Sequence, residues 1–168
     1  LYKGVKVMFS EVRLTSRKKR ANVFTGVFAV LEVPGNVLEG HTIITADSAM
    51  ARESASTRWS KLSPVKIQQP GAERFLVYSD KPEAASLLVG EKLLKELGEA
   101  SDIFNKADLT AVLFRSKFIF LMIPHREDMF EPSNVFLPVS SQHHALKCKK
   151  EIERLLEIID IFEVYKAE

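Results

Sequence analysis

Apolar and polar residues alternate at Val5, Val7 and Phe9, and then at Val12 and Leu14 on the opposite parity. A period of two marks a half-buried strand. The change of parity predicts either one long strand with a bulge near Ser10 and Glu11 or two strands meeting there. Val23 to Val33, rich in Val and Phe, predicts the next strand, and the two make a hairpin whose turn carries Arg17-Lys18-Lys19-Arg20. Pro34-Gly35-Asn36 marks a turn, and Thr42 to Thr45 reads as a short strand. Val65 to Gln68 and Arg74 to Tyr78 supply two more strands on either side of Pro70-Gly71. Residues 48–64 are small and polar apart from Trp59, which predicts a mobile surface loop.

Further along, the period changes. Asp80-Lys81-Pro82-Glu83 has the chemistry of a helix start: Asp80 to cap free N–H groups, Pro82 in the first turn, Glu83 to reach back. Ala84, Leu87, Leu88, Leu94 and Leu97 give one apolar face, with Gly90 splitting the segment into a short helix pair and Gly98 expected to end it. Leu109 to Phe114 and Lys117 to Ile123 predict an apolar hairpin turning near Arg115-Ser116. Ser140 or Ser141 can then cap a long C-terminal amphipathic helix reaching about Phe162, with an apolar stripe of Ala145, Cys148, Ile152, Leu155, Leu156, Ile159 and Phe162. The predicted fold class is α+β, a mainly antiparallel sheet with helices on one face. A pleckstrin-homology-like barrel is the closed version of the same element order.

Composition narrows the setting more than the chemistry. With 168 residues and 46% of them hydrophobic, the chain is expected to form one domain over 1–168 that closes a core without metal or disulfide. The lone cysteine, Cys148, excludes an intramolecular disulfide and a multi-cysteine zinc site. Twenty-four basic against 22 acidic residues leave a net charge of +2, so there is no general field to draw in nucleic acid. No apolar run approaches the roughly 20 residues of a membrane-spanning helix; Phe118 to Pro124 is the longest. The chain opens at Leu1 directly inside a strand-like pattern, as expected of a soluble domain excised from a longer parent.

Four short signatures recur in order: Phe24-Thr25-Gly26-Val27-Phe28, Gly40-His41-Thr42, Phe75-Leu76-Val77-Tyr78-Ser79-Asp80 and Phe130-Glu131-Pro132. In that order and spacing the chain resembles the bacterial domain-of-unknown-function family 3137, from Phe9-Ser10-Glu11 through the terminal helix. The resemblance implies a membrane-tethered bacterial protein with its soluble part on the cytoplasmic side of the inner membrane. It brings no catalytic residues with it. The chain departs from the family pattern at Arg115-Ser116, where an Asp-Gly-like turn is common, and in the loop over 48–64. Read as residues alone, Gly26 marks a bulge or a close backbone approach, and Gly40 and Asp80 punctuate the fold. Phe24, Phe28, Phe75 and Tyr78 are expected in the core.

Catalytic constellations are thin. His143 and His144 diverge by about 100° on a helix and cannot readily share a metal. His144 and Cys148 share a face and could pair as base and nucleophile, but Cys148 falls in the apolar stripe, where a small buried residue is the ordinary reading. His125 with Asp128 offers acid–base groups in a proline-flanked loop. No phosphate loop, HExxH or GxSxG is present. The sharpest local signal is the run Arg17, Lys18, Lys19 and Arg20, four cations that could touch anionic lipid or a partner, against the plainer reading of a solvated turn. Without interleaved aromatics, nucleic acid is disfavoured. The expected function is therefore a non-catalytic interaction or scaffold module at the cytoplasmic face of a membrane, with a protein partner and no cofactor, metal or small-molecule substrate. Anionic-lipid binding through the basic tip is the alternative, and an enzyme of unspecified reaction the second.

Overall fold

The computed structural model describes residues 1–15, 22–32, 40–46, 62–115, 117–125 and 142–161. Among the described residues seven strands form one sheet: β1 (Lys6–Thr15), β2 (Asn22–Glu32), β3 (Thr42–Thr45), β4 (Ser63–Val65), β5 (Leu76–Ser79), β6 (Thr110–Phe114) and β7 (Phe118–Pro124). Their spatial order is β1-β2-β7-β6-β3-β5-β4, and every pairing is antiparallel. Three α-helices among the described residues complete the α+β fold: α1 (Pro82–Leu88), α2 (Glu91–Ile103) and α3 (Gln142–Ile161). Among the described residues β1 and β4 are the sheet's edges and do not pair with each other, so the described strands form an open sheet and not the barrel.

Side chains alternate between the two faces of a sheet, and directly paired residues point the same way. The registers therefore sort the sheet into two surfaces. One carries Leu31, Ala29 and Val27 of β2, Ile119, Leu121 and Ile123 of β7, Leu113 and Ala111 of β6, Ile44 of β3 and Val77 of β5. All are buried, and they form a single core with Leu94, Leu97 and Ala100 of α2, Phe104 just beyond it, and Leu155 and Ile158 of α3. Each fully buried Leu or Ile contributes about 1.5–3 kcal/mol. The helices thus lie on this face.

The other surface carries Met8, Val12 and Leu14 of β1, Phe24, Phe28 and Val30 of β2, Phe118, Phe120 and Met122 of β7, Val112 and Phe114 of β6, Ile43 of β3 and Tyr78 of β5. None of these belongs to the helix-side core or packs against it. The parity change in β1 is explained by this division. The β1–β2 pairing runs without interruption through Ser10 and Glu11, and its one register shift lies between Leu14 and Thr15. Val5 and Val7 turn to the helices, whereas Met8, Val12 and Leu14 turn to the second face. Both parities are apolar because both faces are, so no bulge is needed at Ser10.

The helices depart from expectation at three points. Gly90, extended at φ −86° and ψ 176°, does separate α1 from α2, but Gly98 does not end α2, which runs on to Ile103. A helix interior tolerates one glycine at a cost of about 1 kcal/mol, and burial of Leu97, Ala100 and Ser101 around it carries the helix through. In α1 the buried residue is Ala85, while Leu87 points to solvent. In α3 the buried line is Glu151, Leu155 and Ile158, with Cys148 half-buried; Ala145 and Ile152 of the expected stripe are exposed.

The N-terminus is stitched to α3. Lys3 at φ 45° and Gly4 at φ 83° make a tight turn closed by paired backbone hydrogen bonds between Tyr2 and Val5. From it the Tyr2 hydroxyl donates to Asp160 Oδ2 at 3.1 Å and Lys3 Nζ to Asp160 Oδ1 at 2.6 Å.

Candidate functional site

Two of the signatures meet in space. β3 starts where β5 ends, and Thr42 pairs with Ser79. This places Gly40-His41 against Ser79-Asp80-Lys81 in a compact hydrogen-bonded knot. Asp80 Oδ1 accepts from the His41 backbone N–H at 2.7 Å, and the Asp80 N–H donates to the His41 carbonyl at 3.2 Å. The Ser79 hydroxyl also donates to that carbonyl at 3.1 Å. It lies 3.0 Å from Thr42 Oγ1 and accepts from the Lys81 N–H at 3.0 Å. Gly40, at φ 72°, leaves room for the carboxylate: a Cβ there would run into Asp80 Oδ1 and come within 3.1 Å of Lys81 Cγ.

Asp80 therefore does not cap α1. Lys81 is the N-cap residue and makes no side-chain cap bond; Pro82 begins the helix. The carboxylate is drawn back to the opposite strand because the His41 N–H, left outside the ladder at the start of β3, is a donor that needs a partner. A charge-assisted hydrogen bond of this kind contributes about 1.5–3 kcal/mol. Asp80→Ala is expected to lower unfolding stability by about 1–2 kcal/mol, given the partial exposure of the carboxylate, and Asp80→Asn by less, since it keeps an acceptor. Urea denaturation of the two variants checks this; equal losses would show that the acceptor is not what matters.

Of the paired imidazole and carboxylate in the knot, the imidazole is the more exposed. His41 is 58% exposed at its side chain, with Nδ1 3.4 Å from Asp80 Oδ2. A carboxylate beside an imidazole orients the ring, which is the first requirement of an acid–base pair. The neighbouring Ser79 is fully buried, and its proton goes to a backbone carbonyl rather than to the imidazole. Nucleophile, base and carboxylate are adjacent but not wired as a triad.

The first signature does different work. Gly26 lies where β2 crosses β7: a Cβ there would fall onto the Ile123 carbonyl oxygen and within 2.8 Å of the His125 nitrogen. The expected close backbone approach is real. Just past it the His125 N–H donates to the Thr25 carbonyl at 3.0 Å, and the His125 ring stands edge-on to Phe104 at 6.2 Å. His125 Nε2 is buried and makes no hydrogen bond among the described residues.

The second face of the sheet is the surface that sequence reasoning missed. Phe24 stacks on Phe28 at 5.2 Å, Phe28 meets Phe120 edge-on at 5.0 Å, and Phe114 stacks on Phe118 at 5.5 Å. These aromatics are half-buried, and Met8 beside them is 52% exposed. Of the four aromatics expected in the core, only Phe75 belongs to the described core; Phe24, Phe28 and Tyr78 lie half-buried on this second face, which no described helix covers. One end of the face is charged. Lys117 Nζ donates to Glu32 Oε1 at 2.6 Å and lies 5.1 Å from the Phe118 ring centre. The hydrogen bond from Lys117 holds the Glu32 carboxyl below its ordinary value. Strand alternation could have revealed this face, since β7 reads Phe-Ile-Phe-Leu-Met-Ile with no polar position on either side.

The remaining candidates are divided between described and undescribed residues. Arg17, Lys18, Lys19 and Arg20, residues 48–61 of the loop expected over 48–64, Asp128 and Phe130-Glu131-Pro132 lie outside the described residues, as does the side chain of His144. Among the described residues no group of three or more His, Cys, Asp or Glu side chains could hold a metal ion, and no helix is long and apolar enough to cross a membrane. Two buried carboxylates were not anticipated. Glu96 of α2 and Glu151 of α3 face cations on their own helices, Lys92 at 3.7 Å and Arg154 at 3.5 Å.

The family model described as protein of unknown function (DUF3137) matches residues 22–164, and the chain belongs to that family. No curated protein and no solved structure matches it.

Proposed function

We propose that this DUF3137 domain is a non-catalytic interaction module, the soluble part of a membrane-anchored parent, working at the cytoplasmic face of a bacterial inner membrane. The observation that carries the interaction reading is the apolar sheet face that no described helix covers, from Met8 across Phe28 and Phe120 to Tyr78. A contiguous apolar surface of this breadth on a soluble domain is characteristic of a contact surface. Aromatic residues and Met are also the side chains enriched at the centres of protein interfaces. The occupant is a protein partner with an apolar surface of its own, held by area and aromatic packing rather than by charge. The His41–Asp80 pair holds β3 to β5 and does not act on a substrate.

The test uses the full-length parent, tagged and recovered from membranes, alongside a Phe28→Ser/Phe120→Ser variant of unchanged melting cooperativity. A partner recovered with wild type and lost with the variant supports the module. Repeated recovery with no partner, or the same partner with both proteins, overturns it.

A further inference from the structure

Both methionines among the described residues lie on the same side of the sheet. Met8 of β1 pairs with Val30, and Met122 of β7 pairs with Phe28 and Thr110, so both turn to the second face. The helix-side core holds none. The two differ in cover. Met122 stands between β2 and β6 and is half-buried. Met8 stands on β1, the edge of the described sheet, and is 52% exposed. It heads a row of directly paired residues that runs through Val30, Phe120, Val112 and Ile43 to Tyr78. That row is the spine of the apolar surface.

A leucine would offer much the same apolar area at this position. A thioether adds one property that leucine lacks: its sulfur is a two-electron reductant, and exposure governs which methionine of a folded chain reacts first. A peroxide-class oxidant transfers one oxygen atom. The sulfur lone pair attacks it, the S–O bond forms as the O–O bond breaks, and the departing hydroxide takes the proton from the transferred oxygen to leave as water. The sulfur is oxidised by two electrons and the peroxide is reduced by two. The product is a polar sulfoxide at the head of an apolar row. While Met8 faces water the change costs little, because solvent can hydrogen-bond the new oxygen. Under a partner with an apolar surface the same oxygen is buried without a donor, which is costly. The penalty thus falls on the complex and not on the fold.

We propose that Met8 is an oxidation site, and that its conversion to the sulfoxide by a peroxide-class oxidant releases a protein partner from the second face. The inference rests on the interaction reading above and adds how that contact is regulated. Methionine sulfoxide reductase returns the sulfoxide to the thioether, so the change is reversible. Cys148, half-buried on α3, is the other kind of sulfur that a peroxide attacks, and a Met8→Leu variant keeps it in place as a control.

The experiment has two arms. In the first, the 1–168 chain is treated with hydrogen peroxide and mapped by peptide mass. Met8 is expected to gain oxygen at least about threefold faster than Met122, with the melting temperature unchanged and the original mass restored by the reductase. Oxidation of Met8 no faster than that of Met122, or a melting transition lost in step with it, overturns the proposal. In the second arm the tagged full-length parent is oxidised, freed of peroxide and offered solubilised membranes, alongside Met8→Leu, a swap that conserves volume and apolarity. Partner recovery is expected to fall at least about tenfold for oxidised wild type and to hold for Met8→Leu treated in the same way. Equal recovery by oxidised and untreated wild type overturns the proposal and leaves the interaction reading standing. An equal loss by oxidised Met8→Leu does the same, since the sensitive group would then lie elsewhere. A parent that recovers no partner even when untreated overturns both.

Discussion

Replacement of Gly26 by alanine is expected to destabilise the protein by at least about 3 kcal/mol, more than any other single methyl added at a described glycine. The added Cβ has nowhere to go. It would fall onto the backbone oxygen of Ile123 and within 2.8 Å of the His125 nitrogen, and both atoms belong to the β7 end of the ladder. A flexible side chain can move aside for a methyl group, but a hydrogen-bonded backbone can do so only by breaking the pairing. That pairing places Val27, Ala29 and Leu31 opposite Ile123, Leu121 and Ile119, all on the buried face. Separating β2 from β7 therefore disturbs the core as well as the ladder. Against a typical total stability of 5–15 kcal/mol, such a loss removes a large share. Gly90→Ala is the control: φ is −86°, no atom lies within reach of the new methyl, and the effect is expected within about 0.5 kcal/mol. Urea midpoints of the two variants decide it. If Gly26→Ala unfolds where Gly90→Ala does, the close approach of β2 to β7 is wrong.

The signatures that identify the family thus mark places where backbone meets backbone or a carboxylate. Gly26 admits β7, and Gly40 admits the Asp80 carboxylate. That much could be read in the sequence, because a glycine within a strand weakens it and is kept where a side chain would not fit. The partner of each glycine could not be read, since Ile123 and Asp80 are far away along the chain. Asp80 shows the limit well. Its local context, Asp-Lys-Pro-Glu, is that of a helix cap, yet a donor 39 positions earlier claims the carboxylate. The alternation of the strands was legible, and so were the hairpin of β6 and β7 and the break at Gly90. What alternation could not tell was which face the helices cover. Where both parities are apolar, as in β1 and β7, period-two reasoning finds a strand but not its inside. The same ambiguity sent Phe24, Phe28 and Tyr78 to the core.

The two faces can be told apart on one strand. Leu121 and Phe120 are neighbours in β7, one turned to the helices and fully buried, the other turned to the second face and half-buried. Leu121 stands between Ala29 of β2 and Ala111 of β6, so a large residue fills the space that two small ones leave. With alanines on both sides, little can collapse into the hole that Leu121→Ala creates. The expected cost is therefore near the upper end of its class, about 3–5 kcal/mol, or roughly 10 °C in melting temperature. Phe120→Ala deletes more atoms, but solvent already reaches them. What it loses is part of the edge-on contact with Phe28 at 5.0 Å, and its expected cost is about 1–2 kcal/mol. The smaller residue should thus be the costlier one to remove, the reverse of what side-chain size alone predicts. Paired melts of Leu121→Ala and Phe120→Ala measure the difference. A larger loss at Phe120 would mean that its face is closed within the domain, and the surface from Met8 to Tyr78 would then have no room for a partner.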